Sequence, residues 1–313
     1  EISEKSDKCQ NFLTNVRNVR KFWHLSEISE NYEILICDLW GCLHDGKKSF
    51  EKALQTLRNF RDKGGLVILV TNAPRPRESV ENQINRLGIN KSHYDFLLTS
   101  GELTSQLLGE NNKKQIKVFH IGATRNHSVF ENIKRYNRIL EIEIVTLAEA
   151  EIIVCTEPFN PVSDTLDNYN DLLSEGIRKG LPFICSNPDL VVDIGDMREL
   201  CAGSIAYRYE SLGGQTTYLG KPFSTIYKRV YQFVSTKIKI EKNKFLCVGD
   251  GINTDIKGAG FEGLDSLLII GGLLRNDFLI KQNRTYFIDK KGFNKYLLMN
   301  SFIEPTFAMK FFE

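Results

Sequence analysis

The chain has 313 residues, more than one hydrophobic core of ordinary size requires, so we expect two domains. Hydrophobic residues make up 42% and charged residues 26%, a balance typical of globular proteins. The 41 basic and 39 acidic residues are spread along the chain, which argues against a nucleic-acid partner. The longest apolar run, SLLIIGGLL, is too short to cross a membrane.

Cysteine usage and the first residues both indicate a reducing compartment. None of the seven cysteines forms a C-x-x-C pair, and several lie in apolar, strand-like runs. Buried, reduced thiols account for this pattern. The first residues, EISEKSDKCQNF, lack the apolar core of a secretion signal, so we predict a cytoplasmic protein.

Strand-like and helix-like segments alternate along the chain. Residues 1–29 are predicted to form a polar leading helix. Helical spacing of apolar residues predicts further helices after Phe50 and after Pro76, each ending at a glycine. The predicted strands are EILIC (33–37), LVILV (66–70), KVFHI (117–121), EIIVC (151–155), LPFIC (181–185), FLCV (245–248) and SLLII (266–270). Continuous apolar strands that alternate with helices indicate parallel sheets covered on both faces, an α/β fold.

Polar side chains follow three of these strands directly. Asp38 follows the first strand, Thr71 and Asn72 follow the second, and Asp250 follows FLCVG with Asp255 five residues on. Ligands of open parallel sheets bind outside the carboxyl ends of the strands, so we expect these side chains to meet there. Crowded carboxylates repel one another unless a cation lies among them, and Mg²⁺ is the hard divalent ion that suits oxygen ligands.

A lysine completes a set of residues suited to phosphoryl transfer. Lys221 lies in GKP, ahead of a helix-like segment. An Asp nucleophile, a Thr hydroxyl, a Lys and an acidic pair that binds metal together form such a set. A lone lysine is more often solvated, so its assignment depends on this context.

The motifs DLWGCLHDG, TNA, GKP and GDGINTDIKGA follow one another in the order found in the haloacid dehalogenase superfamily of phosphatases. The long insert between TNA and GKP, with TSGEL (99–103), SNPDLVV (186–192) and CAGSIAYRYESLGG (201–214), resembles the class IIA, NagD-like branch. The resemblance covers about residues 30 to 310. It implies a Rossmann-like core with a parallel sheet, from residues 30–77 and 217–313, and an inserted α/β cap from residues 78–216.

The resemblance also implies roles for individual residues. Asp38 matches the nucleophile that becomes an aspartyl phosphate, and Lys221 matches the lysine that steadies both nucleophile and phosphate. Thr71, with Asn72 beside it, matches the phosphate-binding hydroxyl. Asp38, Asp250 and Asp255 match the carboxylates that hold magnesium, and the backbone carbonyl of Trp40 is the expected further ligand.

Trp40 is where the chain departs from the family. The usual residue at this place is a second Asp, which protonates the leaving group and then activates water. Tryptophan can do neither, and general acid–base catalysis is typically worth about 10²–10⁴ in rate. We therefore expect slow turnover of alkyl phosphates and less impaired turnover of aryl, enol or acyl phosphates.

Several further residues have both a functional and a structural interpretation. His44 or Asp45 could replace the missing acid, but HDG is favoured as a turn. Asn187 and Asp189 in SNPD could contact substrate from the cap, or form an ordinary turn. Arg75 and Arg77 could line the phosphate entrance, or be exposed loop residues. His120 is favoured as a packed core histidine, and FAMKFF as packing against the core.

The sequence leaves three functions open. The first is a magnesium-dependent phosphomonoesterase acting on a small metabolite: a sugar phosphate, a nucleotide, phosphoglycolate or pyridoxal phosphate. The second is an impaired protein that binds phosphate without turnover, which Trp40 supports. The third, a receiver-like signalling domain, is disfavoured because the chain is long and the metal pair follows the lysine. The resemblance also implies a homodimer formed through the cap.

Overall fold

The computed structural model describes residues 30–194, 197–239, 241–282, 285–300 and 304–312. The predicted leading helix over residues 1–29 lies outside them. The strands are β1 Ile34–Cys37, β2 Leu66–Thr71, β3 Phe96–Thr99, β4 Gln115–Ile121, β5 Glu141–Ile144, β6 Ile152–Cys155, β7 Phe183–Cys185, β8 Val191–Ile194, β9 Met197–Leu200, β10 Thr216–Tyr218, β11 Phe245–Gly249, β12 Asp265–Ile269, β13 Leu279–Gln282, β14 Thr285–Ile288 and β15 Phe307–Met309.

Helices connect most of these strands. The α-helices are α1 Glu51–Asp62, α2 Arg77–Arg86, α3 Ser100–Gly109, α4 Ser128–Glu131, α5 Asn170–Arg178, α6 Ala202–Ser211, α7 Ser224–Ser235, α8 Lys257–Glu262, α9 Arg275–Phe278 and α10 Lys290–Asn300. A π-helical turn covers Ile252–Ile256, and short 3₁₀ turns cover Thr124–Asn126, Asn132–Arg135, Leu166–Tyr169 and Lys242–Lys244. None of the helices in these described ranges is long and apolar enough to cross a membrane.

Two parallel sheets organise the chain. The first has six strands in the order β15-β12-β11-β1-β2-β3, and the second has five in the order β10-β7-β6-β4-β5. Every pairing within both sheets is parallel. Two antiparallel hairpins, β8-β9 and β13-β14, stand apart from them. The α/β class with two parallel sheets is therefore confirmed, and all seven predicted strands are present within a few residues.

One strand within the predicted insert pairs with the first sheet, and the predicted domain boundaries stay a prediction. Strand β3 lies inside the predicted cap range but pairs with β2 in the first sheet, with Val70 opposite Leu98. The second sheet is formed by residues between 115 and 218. It includes β10, which extends two residues past the predicted end of the cap at residue 216. The sequence pattern did not identify the four-residue strand FLLT.

The core sheet is covered on both faces by apolar residues. Strand β1 is fully buried, and α1 buries Ala53, Leu54, Leu57 and Phe60 against one face. Helix α7 buries Ile226 and Val230 in the cluster on the other face. The C-terminal FAMKFF segment supplies edge strand β15 and buries Met309 and Phe312, as predicted. Burial on both faces leaves the carboxyl ends of the strands as the place where polar groups collect.

Candidate active site

Three acidic side chains meet at the carboxyl end of the first sheet. Asp38 follows β1, Asp250 follows β11, and Asp255 lies in the next turn. Parallel pairing of β1 with β11, with Cys37 opposite Val248, places the two strand ends side by side. All three residues are buried and bring carboxylate oxygens within 4.8 Å of one another. In the described part of the chain, this is the one group of three or more His, Cys, Asp or Glu side chains close enough to hold a metal ion.

Lys221 lies among these carboxylates. Its ammonium donates to Oδ1 of Asp38 at 2.6 Å and to Oδ1 of Asp255 at 2.7 Å. The residue is buried, with 3% of its surface exposed. The structure therefore brings together four residues from three distant segments of the chain. Three carboxylates against one ammonium leave excess negative charge in a buried place, an arrangement that suits a hard divalent cation such as Mg²⁺.

Burial changes the protonation equilibria of the cluster. It raises the pKa of Asp38 to about 7, with Lys221 opposing the shift and Asp255 adding to it. Burial also raises the pKa of Asp250 well above its usual value, and the charges of Asp38 and Asp255 act in the same direction. Burial alone would lower the pKa of Lys221, but Asp255, Asp38 and Asp189 together raise it. Without a cation, the site therefore resists carrying all of its negative charges.

Glycine backbones make room for Asp250. A Cβ at Gly41 would lie 1.9 Å from Oδ2 of Asp250, and one at Gly272 would lie 2.0 Å from the same atom. Gly41 also has a φ of +71°, a conformation that other residues adopt at a cost. The N–H of Leu273 donates to Oδ2 of Asp250 at 2.9 Å. These backbone contacts were not predicted, because a backbone donor leaves no signal in residue type.

Thr71 is the last residue of β2, which pairs with β1, and Asn72 follows it directly. The buried Thr71 hydroxyl accepts a hydrogen bond from the N–H of Ala73 at 3.2 Å. The side-chain amide of Asn72 forms hydrogen bonds with Lys221, Asp189 and Ser100. In the structure the Asn72 side chain holds Lys221 and Asp189, and that Asn72 binds phosphate stays a prediction.

The two cap residues in SNPD both form a turn, and one of them reaches the core. Oδ1 of Asn187 accepts from the N–H of Asp189 at 3.1 Å, which is turn geometry. Oδ1 of Asp189 accepts from Nδ2 of Asn72 at 2.9 Å. Burial raises the pKa of Asp189 to about 6, with Lys221 and Asn72 opposing the shift. That these residues contact substrate stays a prediction.

The HDG segment after Trp40 is a turn, as favoured. The N–H of Gly46 donates to Nδ1 of His44 at 3.0 Å, and Oδ1 of Asp45 accepts from the N–H groups of Lys47 and Lys48. The rings of Trp40 and His44 meet edge to face with centroids 5.1 Å apart. Burial lowers the pKa of His44 to about 4, so this imidazole is neutral at pH 7 and holds no proton to donate as an imidazolium.

The other candidate residues make packing contacts and hydrogen bonds within the protein. His120 is packed in the cap, where its Nε2 lies 2.8 Å from the Thr156 hydroxyl, as expected of a core histidine. The guanidinium of Arg77 lies over the ring of Phe96. Arg75 is half-buried and donates to Gln83, and burial lowers its pKa. Neither arginine has a contact here that assigns it to the phosphate entrance.

Sequence reasoning did not single out Ser100 as a residue of this region. Its hydroxyl lies 3.4 Å from Oδ1 of Asn72, at the start of α3. A Cβ at Gly220 would lie 2.2 Å from Oγ of Ser100 and 2.5 Å from Oδ1 of Asn72. The TSGEL motif resembles the class IIA branch, but the sequence does not show that it lies beside GKP. That position depends on the pairing of β3 with β2.

Stability should depend on pH in a way set by the raised pKa of Asp38. An unfolded aspartate has a pKa near 4, so between about pH 4 and pH 7 the folded state holds a proton that the unfolded state releases. We expect the melting temperature of metal-free protein in EDTA to fall as the pH rises through this range. Scanning calorimetry of wild type and Asp38→Asn checks this expectation, because the variant lacks the group and should show a shallower slope. Equal slopes would contradict it.

Comparison with known proteins shows similarity along most of the chain. A family profile described as haloacid dehalogenase-like hydrolase matches residues 35–134. The 5'-nucleotidase YutF of Bacillus subtilis is 24% identical over 258 residues, covering 80% of this chain and 91% of that protein. The ribonucleotide monophosphatase NagD of Escherichia coli K12 is 25% identical over 242 residues, covering 76% and 88%. A crystal structure of a haloacid dehalogenase-like hydrolase from Brucella suis 1330 superposes with a TM-score of 0.76 at 33% identity, covering 92% of this chain and 100% of that one.

Proposed function

Because the chain belongs to the haloacid dehalogenase-like hydrolases, we propose that it is a magnesium-dependent phosphomonoesterase that acts on a small phosphorylated metabolite through an aspartyl phosphate on Asp38. One observation carries the proposal: the buried Lys221 ammonium bonds Asp38 and Asp255 beside Asp250. A nucleophile, a fixed positive charge and a metal-binding acidic pair are the parts that phosphoryl transfer requires.

In the proposed reaction, a carboxylate oxygen of Asp38 forms a bond to phosphorus while the bond from phosphorus to the ester oxygen breaks. Lys221 orients the carboxylate and offsets the charge of the transferring phosphoryl group, and the Thr71 hydroxyl binds one of its oxygens. Asp38, Asp250 and Asp255 would hold Mg²⁺, which neutralises phosphoryl charge when bound. Water then cleaves the aspartyl phosphate and releases inorganic phosphate.

The leaving group receives little help at this site. The side chain at position 40 is an indole, which has no proton of suitable acidity for a departing alkoxide. Substrates with good leaving groups therefore fit the site best. The contact between Asn72 and Asp189 brings the cap turn onto the core beside Lys221, which favours small substrates. Nucleotides, sugar phosphates, phosphoglycolate and pyridoxal phosphate are the candidates, and the names of YutF and NagD favour nucleotides among them.

Purified protein should hydrolyse p-nitrophenyl phosphate in the presence of Mg²⁺ and lose this activity in EDTA. The physical reason is that three buried carboxylates with one ammonium repel an incoming phosphate unless a cation joins them. Release of nitrophenolate measures the rate, and re-addition of Mg²⁺ should restore it. A panel of phosphorylated metabolites under the same conditions ranks the substrates.

Trp40 favours a second candidate, a protein that binds a phosphorylated metabolite without turnover. Tight, Mg²⁺-dependent binding of inorganic phosphate by calorimetry, together with no release of phosphate from any substrate in the panel, would support this candidate and contradict the first. A homodimer formed through the cap stays a prediction, which light scattering would test.

A further inference from the structure

A single buried amide links the cap to the catalytic lysine. Nδ2 of Asn72 donates to the backbone carbonyl of Lys221 at 3.0 Å, and Oδ1 of Asn72 accepts from the backbone N–H of Lys221 at 2.8 Å. The same Nδ2 donates to Oδ1 of Asp189, on the cap turn, at 2.9 Å. Asn72 is 2% exposed, so its two bonds to Lys221 form away from solvent, while its bond to Asp189 is partly buried. The amide therefore binds both the N–H and the carbonyl of Lys221, and its second N–H donates to Asp189 of the cap.

The contacts also determine which way the amide faces. A primary amide has two N–H donors and two acceptor positions on oxygen. The donors are used by Lys221 and Asp189, and the acceptor positions by the N–H of Lys221 and, at 3.4 Å, the hydroxyl of Ser100. Turning the amide over would place its NH₂ against a donor and its oxygen against two acceptors. The carboxylate of Asp189 is thus one of the groups that fix Asn72.

The turn that carries Asp189 is itself held closely in place. The Asn187 side chain accepts from the backbone N–H of Asp189 at 3.1 Å. A Cβ at Gly203, in α6, would lie 2.4 Å from the carbonyl of Pro188 and 2.5 Å from that of Asp189. On the core side, a Cβ at Gly220 would lie 2.9 Å from Cδ of Pro188. The turn therefore lies against helix α6 on one side and the GKP segment on the other.

We propose that Asp189 is a positioning residue that couples cap docking to the placement of Lys221 through Asn72, rather than a residue that contacts substrate. With the cap turn docked, Asp189 holds the Asn72 amide, the amide holds the backbone of Lys221, and the ammonium bonds Asp38 and Asp255. With the turn displaced, Asn72 loses its charged acceptor and Lys221 is held less firmly. This inference deepens the proposed phosphatase function and rests on it.

Truncation of Asp189 should act on turnover more than on substrate affinity. Hydrogen bonds to charged groups are the stronger ones, so we expect Asp189→Ala to lower kcat by about 10-fold to 100-fold. The loss should be equal for p-nitrophenyl phosphate and for a larger nucleoside monophosphate, with KM little changed. Asp189→Asn, which keeps an oxygen that can accept from Asn72, should recover most of the loss. The exposed cap variant Asp171→Ala is the matched control and should resemble wild type.

A double-mutant cycle separates positioning from other roles. If Asp189 acts through Asn72, the double variant Asn72→Ala with Asp189→Ala should be no slower than Asn72→Ala alone. Multiplicative losses in the double variant would overturn the proposal. So would an unchanged kcat in Asp189→Ala, or a rise in KM confined to the larger substrate, which would indicate substrate contact. Asp189→Ser replaces Asp189→Ala if circular dichroism shows that the alanine variant is unfolded.

Phosphate binding tests the same coupling without turnover. Calorimetric titration of inorganic phosphate in Mg²⁺ should show about 10-fold weaker affinity for Asp189→Ala than for wild type and Asp171→Ala. Equal affinities would overturn the proposal. A wild type that binds phosphate without turning over any substrate would end the proposed phosphatase function, while the affinity comparison would still decide the role of Asp189.

Discussion

Asp38→Asn should abolish phosphatase turnover, lowering kcat by roughly 10⁴-fold or more. The amide is nearly the same size as the carboxylate but is a far weaker nucleophile, so no aspartyl phosphate forms. The fold should survive, because Lys221 keeps its bond to Asp255 and one buried carboxylate is removed. Nitrophenolate release in Mg²⁺ measures the loss, and circular dichroism checks the fold.

A matched control for this variant is Asp62→Asn, which makes the same chemical change at an exposed position near the end of α1. It should turn over at the wild-type rate. If Asp38→Asn, correctly folded, kept more than about a hundredth of the wild-type rate, Asp38 would not be the nucleophile. Trapping of radiolabelled phosphate on wild type but not on the variant would give independent support for the covalent intermediate.

Trp40→Asp should raise turnover of alkyl phosphates, by up to about 10²–10⁴-fold. The new carboxyl would stand two residues after Asp38, where it could protonate the leaving oxygen and later take a proton from water. The gain should be smaller for p-nitrophenyl phosphate, because its leaving group needs little protonation. Rates on glycerol phosphate and on p-nitrophenyl phosphate, measured side by side, check both expectations.

Packing around Trp40 requires a second variant as a control. The indole lies edge to face with His44, and a Cβ at Gly46 would lie 2.5 Å from its ring. Any smaller residue therefore leaves space in the loop and lowers stability. Trp40→Ala leaves a similar space in the loop but supplies no acid, so its turnover of alkyl phosphates should not exceed that of wild type. If Trp40→Asp is no faster than Trp40→Ala, the missing carboxyl does not limit the rate.

The raised pKa of Asp38 and the excess negative charge around it have one physical origin. Burial removes water from carboxylates that lie within 4.8 Å of one another, and a single ammonium offsets only part of their charge. A site of this kind is expected to bind a cation or take up protons. The proposed magnesium dependence and the predicted fall in metal-free stability with rising pH are therefore two expressions of the same electrostatics.

Local pattern was enough to predict much of the architecture and the family. Apolar runs such as ILIC and LVILV are too continuous for exposed strands, so buried parallel sheets followed from them, and the predicted family is confirmed. A carboxylate placed directly after a buried strand can only lie at its carboxyl end. For that reason Asp38 and Asp250 were expected near each other, and they are neighbours in the structure.

Other features depended on contacts that residue types do not encode. The strand at Phe96–Thr99 joins the first sheet rather than the insert because of its pairing with β2. The hydrogen bonds of the Asn72 side chain to Lys221 and Asp189, residues more than a hundred positions away, were not predicted from its place beside Thr71. A side chain's partners are set by what the fold brings to it. The sequence by itself determined which reactive side chains the protein has. The tertiary structure decided which partners each of these side chains bonds, because burial and long-range hydrogen bonds arise only when distant segments pack together.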